Sequence, residues 1–151
     1  MKRIIKVLLA VLIIFLFLIQ FIRPVRNQSG QAGINDLSKV YKVPVKLQAI
    51  LKRSCYDCHS NYTNYPWYAE IQPVRYFLDS HITEGKEELN FEEFNTYSAR
   101  KRSNKLRAIV NSLQEKEMPV SSYLMIHHQA RLSKQETNAI IAWIKTVDST
   151  I

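Results

Sequence analysis

Cys55-Tyr56-Asp57-Cys58-His59 is the stretch on which the rest of the chain turns. Its C-x-x-C-H spacing sets two thiols one helical turn apart, so each can form a thioether with one vinyl group of the same porphyrin, and the next side chain falls beneath the iron. Cys55 and Cys58 are therefore read as covalent attachment points for one haem c, and His59 as its proximal axial ligand. The second imidazole nitrogen is then expected to donate to a carbonyl or water that fixes the ring. The 151 residues hold two cysteines, too few for a framework of several disulfides. Other readings of the pair stay open here. A thioredoxin-like redox site expects a preceding strand, which the sequence does not show. A zinc site expects a spaced histidine pair, whereas His127 and His128 are adjacent. A simple disulfide is the last.

Towards the N-terminus, Ile4 to Ile22 reads IIKVLLAVLIIFLFLIQFI, with Lys6 and Gln20 its polar members. Such a run approaches the roughly 20 residues that a helix needs to cross the hydrocarbon. Residues 1–26 are thus expected to be a single-pass inner-membrane anchor, with residues 4–22 in the bilayer. The competing reading is a cleaved secretory signal. Val7 to Ile19 has the length of its apolar region, but no small-residue cleavage site follows. Either reading exports the remainder to the periplasm. Residues 27–43 (NQSGQAGINDLSKVYKV) are polar, hold two of the three glycines and read as a linker. Residues 44–151 are read as the haem-binding domain.

The formal charge of +8 suggests a nucleic-acid partner until it is divided along the chain. Five of the 21 basic residues flank the apolar run, leaving 16 against 13 acidic residues, a balance of +3. Most of the excess therefore suits anionic lipid headgroups, and no nucleic-acid partner is expected.

Beyond the linker the pattern is helical, which predicts an all-α fold. Pro44 suits a first helical position, and Leu47, Ile50 and Leu51 follow at helix spacing into Cys55. A second helix is predicted from Pro73, with Val74, Phe77, Leu78, His81 and Ile82 on one face and Gly85 just past its end. A third follows Tyr97, striped by Leu106, Ile109, Val110 and Leu113 and stopping at Met118-Pro119. The last opens on a capping box, Ser133 with Glu136, and carries Ile140, Ile141, Ile144 and Val147.

Three blocks carry a resemblance: CYDCHSNYTNYPWYAEIQPV (Cys55 to Val74), HITEGKEELNF (His81 to Phe91) and MPVSSYLMIHHQARLSKQE (Met118 to Glu136), the last leading into the helix with Trp143. Together they resemble the haem-binding domain family of exported proteins from Bacteroidetes-type bacteria, a relative of small c-type cytochromes. The resemblance runs from Pro44 to Val147. His128 departs from it, standing where a proline is expected, and it adds an imidazole to the ligand question. The family implies a cytochrome c-like helical domain. Met118-Pro119 looks like the Met-Pro of small c-type cytochromes, which makes Met118 the first choice for the sixth iron ligand, with His81 and His127 as alternatives. A methionine in such a place can equally be core filler, and either histidine a hydrogen-bonded imidazole on an amphipathic helix.

Tyr62, Tyr65, Pro66, Trp67 and Tyr68 follow the motif and are expected either to pack on the macrocycle or to form ordinary core. Arg100, Lys101, Arg102, Lys105 and Arg107 could dock an acidic partner, pair with propionates, or form a solvated helix face. The function expected is single-haem electron transfer with His/Met ligation between periplasmic or membrane redox proteins, without enzymatic activity of its own. The alternative is a small-ligand sensor or peroxidase-like enzyme with an open or weakly ligated distal site.

Overall fold

A computed structural model describes residues 1–30 and 33–151. The described residues are helical, with no strand beyond an isolated bridge between Gln28 and Tyr62. The helices run in the order α1 Lys2–Ile19, α2 Leu37–Val40, α3 Val45–Ser54, α4 Tyr56–His59, α5 Val74–Glu88, α6 Ala99–Gln114, α7 Ser121–Leu124 and α8 Lys134–Val147. Short 3-10 turns at Trp67–Glu70, Phe91–Thr96 and His128–Ala130 join them. The all-α expectation holds.

The expected transmembrane helix does not. Among the described residues no helix is long and apolar enough to cross a membrane. Helix α1 stops at Ile19, and Lys2, Arg3 and Lys6 occupy its first turns, so its uncharged run is Val7 to Ile19. At 1.5 Å per residue that run covers about 20 Å, against about 30 Å of hydrocarbon. Gln20, Phe21 and Ile22, counted in the expected span, lie beyond the helix end. There the chain is tied to the start of α5: the Gln20 amide donates to the Gln72 carbonyl at 3.1 Å, the Gln72 backbone N–H donates to Gln20 Oε1 at 3.0 Å, and the Gln72 amide donates to the Ile22 carbonyl at 2.9 Å.

The stretch expected as a linker also meets the domain. Asn27 donates through its amide to the Ser60 carbonyl and to Thr63 Oγ1, both at 2.9 Å, and accepts from Lys86 Nζ at 2.7 Å. Asp36 and Leu37 are buried. The Asp36 carboxylate caps α2 by accepting from the Ser38 backbone N–H at 2.8 Å, and it takes the Tyr56 hydroxyl at 3.1 Å. A polar composition hid this segment because its anchoring side chains are themselves polar.

The core gathers where α3, α6 and α8 meet the Phe91–Thr96 turn. Phe94, Leu106 and Ile144 retain no exposed surface, and Leu47, Leu51, Val110 and Ile140 join them. The stripes read from α3, α6 and α8 supply this core, and the Ser133–Glu136 capping box forms reciprocally. Helix α5 differs from its expectation in two ways. It runs on past Gly85 to Glu88, and its buried residues are Arg75 and Ile82, while Phe77 and Val74 are exposed. Arg75 can be buried because its guanidinium is satisfied: it donates to Asp79 Oδ2 at 2.5 Å and to the Pro24 carbonyl at 3.2 Å, and it lies 4.4 Å from the Tyr65 ring centroid. Buried charge paired and bonded in this way obeys no apolar period.

Candidate functional site

Helix α3 delivers the motif. Its last turn ends at Ser54, Cys55 leaves helical geometry, and α4 restarts immediately, with the Cys55 carbonyl accepting from the Cys58 and His59 N–H groups at 3.3 and 3.0 Å. The two thiols are free and half-buried. Burial raises both thiol pKa values, to about 12 for Cys55 and about 11 for Cys58, with repulsion from Cys58 and Asp57 respectively adding to it. Both are therefore protonated at neutral pH. Redox and metal-binding C-x-x-C sites need the opposite, a stabilised thiolate. Among the described residues no group of three or more His, Cys, Asp or Glu side chains could hold a metal ion by itself.

His59 is held from behind by α5. Its Nδ1 lies 2.7 Å from the Gly85 carbonyl and 3.1 Å from that of Leu89. Both partners are acceptors, so Nδ1 carries the proton and Nε2 keeps a lone pair. Burial lowers the His59 pKa, against the raising effect of those two bonds and of Glu88; the ring is neutral, the state a metal ligand requires. The approach depends on Gly85. A Cβ there would lie 2.8 Å from the Cys58 carbonyl oxygen and 3.3 Å from Cys58 Cβ, so any side chain would push α5 off the motif.

In front of His59 are two adjoining cavities. One, of about 210 Å³, runs between α3, α5 and α6 and is lined by Leu51, Leu89, Phe91, Ala108, Ile109 and Leu113 among others, with the paired Lys105 and Glu88 also on its border. The other, of about 370 Å³, is bordered by Asp57, Cys58, His81, Glu84, Gly85, Val120 and Tyr123. Ser54, Cys55, His59, Glu88, Met118 and Pro119 belong to both. The pair forms a mainly apolar cleft within the range of volumes that hold drug-sized ligands, roughly 300–1,000 Å³. Its wall contains an orphan: Ser54 is 6% exposed, and its hydroxyl has no hydrogen-bond partner. Such a group is destabilising, by about 1–3 kcal/mol, until something polar meets it. Protonated thiols, a neutral imidazole with a free nitrogen and an apolar cleft beside them together fit a thioether-linked porphyrin.

The three candidates for the sixth position lie in different surroundings. Met118 borders both cavities, as His59 does. It is brought there by the end of α6, where Lys116 takes a left-handed conformation (φ 60°) and the Ser112 carbonyl accepts from the Glu117 and Met118 N–H groups at 2.9 and 3.4 Å. That turn closes the helix and reverses the chain. His81 borders the larger cavity but stands one turn before Gly85 on α5, the helix that backs His59, with Nδ1 donating to the Phe77 carbonyl at 2.8 Å. His127 borders neither cavity. Its Nε2 is 2.6 Å from the Tyr68 hydroxyl and its ring stacks on Tyr123, centroids 4.2 Å apart. His128, the departure from the family pattern, likewise lines neither.

The aromatic stretch after the motif does not line the cleft. Trp67 is 76% exposed, Tyr65 lies against Arg75, and Tyr68 meets His127. Tyr123 and Phe91 line it instead. Tyr123 donates to Asp57 Oδ2 at 2.7 Å, which steadies the variable part of the motif; burial and that carboxylate raise its pKa. Sequence reading missed Tyr123, Ser54 and the role of Gly85. Only Gly85 had a local signal, as one of three glycines, and it pointed to a helix end.

A family model described as Haem-binding domain matches residues 14–146. No curated protein and no solved structure matches the chain.

Proposed function

This chain belongs to the haem-binding domain family, and from that premise we propose that it is a single-haem electron carrier of the c type, acting in the periplasm. The carrying observation is that His59 and Met118 both border both cavities. A porphyrin filling the cleft would have both an imidazole with a free Nε2 and a thioether sulfur at its border. Haem supplies one-electron cycling between Fe(II) and Fe(III) when bound, and a filled sixth position leaves no site for oxygen or peroxide.

The residues divide the work. Cys55 and Cys58 would hold the group, each by addition of its S–H across one vinyl C=C, which needs no oxidant. His59 binds through Nε2 while the Gly85 and Leu89 carbonyls hold its tautomer and raise its donor strength. Met118 is a soft neutral donor that favours Fe(II) and raises the potential. Leu51, Leu89, Phe91 and Ile109 exclude water. Export is supported by the layout of the first helix, in which Lys2, Arg3 and Lys6 precede a 13-residue apolar run ending at Ile19, the arrangement of a secretory signal region of about 7–15 residues. Redox proteins on the same side of the membrane are the partners this reading needs.

The test is the visible spectrum, oxidised and reduced, of the full chain made in a host with haem c attachment machinery, beside a Met118→Ala copy. We expect a haem that stays with the polypeptide on denaturation, six-coordinate reduced bands, and a far-red methionine-to-iron band that disappears in the variant. An unchanged spectrum in Met118→Ala removes methionine ligation. Rapid carbon monoxide binding by the native reduced protein would favour the sensor or peroxidase-like reading.

A further inference from the structure

We infer that the haem enters with its propionate edge towards α6 and that Lys105 binds a propionate there; this rests on the haem reading above. The borders of the two cavities give the cleft a direction. Cys58 borders only the larger cavity, His59 and Met118 border both, and Lys105 borders only the smaller. Cys55 borders both as well, so from Cys58 to Lys105 the cleft runs from a thiol to a cation, which matches a haem, whose vinyl groups and propionates occupy opposite edges.

Charge gives the same direction. Lys105 is the one Lys or Arg bordering either cavity among the described residues, whereas Asp57 and Glu84 line only the larger cavity, as Cys58 does, and would repel carboxylates. The remaining titratable groups of the smaller cavity are Glu88 on α5, His59 on α4 and Cys55 before it, and Cys58, His81 and Tyr123 line the larger alone. Lys105 is 20% exposed along its side chain, and its present partner is weak: Glu88 Oε2 at 3.5 Å, on a side chain 83% exposed. An exposed carboxylate of this kind is readily exchanged for another. Lys105, Ala108, Ile109 and Ser112 line the smaller cavity at helical spacing, so α6 presents one stripe with its cation at one end. Arg100, Lys101, Arg102 and Arg107 do not line it.

The experiment uses the full haem-loaded chain and its Lys105→Met, Lys105→Arg and Glu88→Gln variants. Two readouts are taken: the propionate-bending bands in the resonance Raman spectrum, and the proton affinity of the propionate from their pH dependence. An opposite charge within about 4–6 Å lowers a carboxyl pKa by about 1–3 units. Lys105→Met should therefore shift the band and raise that affinity roughly tenfold or more. Lys105→Arg should restore both, and Glu88→Gln, which removes the competitor, should move the affinity the other way. Haem attached normally with bands unmoved in all three variants overturns the inference and leaves the haem reading standing. Native chain that takes up no haem overturns both.

Discussion

Gly85 and His59 form a unit in which the absence of one side chain positions another. The close approach of α5 to the motif is what lets two backbone carbonyls reach Nδ1. The atom that a Cβ at position 85 would meet is a backbone oxygen of Cys58, which cannot swing aside. Gly85→Ala is thus expected to cost about 1–3 kcal/mol by overpacking, and to reduce covalent haem yield more than a surface Gly→Ala change does. Urea unfolding and haem content per polypeptide measure the two effects. His59 also sets an acid limit. Its folded pKa lies below the unfolded value, mainly through burial, so the unfolded chain binds more protons once the pH drops under about 6.5. Stability is complete above that value and declines towards the folded pKa, by at most about 1.4 kcal/mol per pH unit for one histidine. His127 is lowered by the same cause and acts in the same direction. Urea midpoints of chain without haem should accordingly fall between pH 7.5 and 5.

At the scale of elements, the boundaries of α6 and α8 decide what the cleft contains. Ser98 caps α6 by accepting from the Lys101 N–H, and the left-handed Lys116 ends the reversal that returns Met118 to the cleft. In α8 the Ser133 hydroxyl and the Glu136 carboxylate satisfy each other's backbone N–H groups, and Glu136 also takes Arg53 at 2.9 Å from α3. The cap therefore joins the last helix to the one that delivers the motif. Ser133→Ala should destabilise the fold by about 1 kcal/mol, read as a lowered thermal midpoint. The visible spectrum of the loaded protein should be unmoved, because α8 reaches the cleft only through Ile140.

Across the whole molecule, the domain is closed by residues that precede its first long helix. Leu37 is 1% exposed and belongs to the core with Phe94 and Trp143, and Tyr41 packs edge-on to both rings. Helix α1, by contrast, buries no side chain. Leu37→Ala should cost about 3 kcal/mol, as large-to-small core changes do, which for a chain of this length lowers the thermal midpoint by roughly 6–12 °C. A charge-conserving change within α1, such as Lys6→Arg, should leave that midpoint where it was. Thermal melts of the two variants against the native chain decide it.

The sequence by itself singled out Cys55, Cys58 and His59 as the candidate haem-attachment residues, and determined the helices whose apolar stripes face the core, because a motif and a period are local properties of a chain. It also determined the α8 cap, where both partners lie within three residues. The length of α1 was not legible, since apolar residues continue to Ile22 while Gln20 and Ile22 are taken up by Gln72, some fifty residues later. Nor was the buried face of α5, whose pattern depends on Arg75 finding Asp79, Tyr65 and Pro24. The surroundings of Met118, His81 and His127 are of the same kind. They come from segments distant in sequence, and only the fold places His81 on the helix whose Gly85 carbonyl meets His59, occupies His127 with Tyr68, and brings Met118 to the border of both cavities.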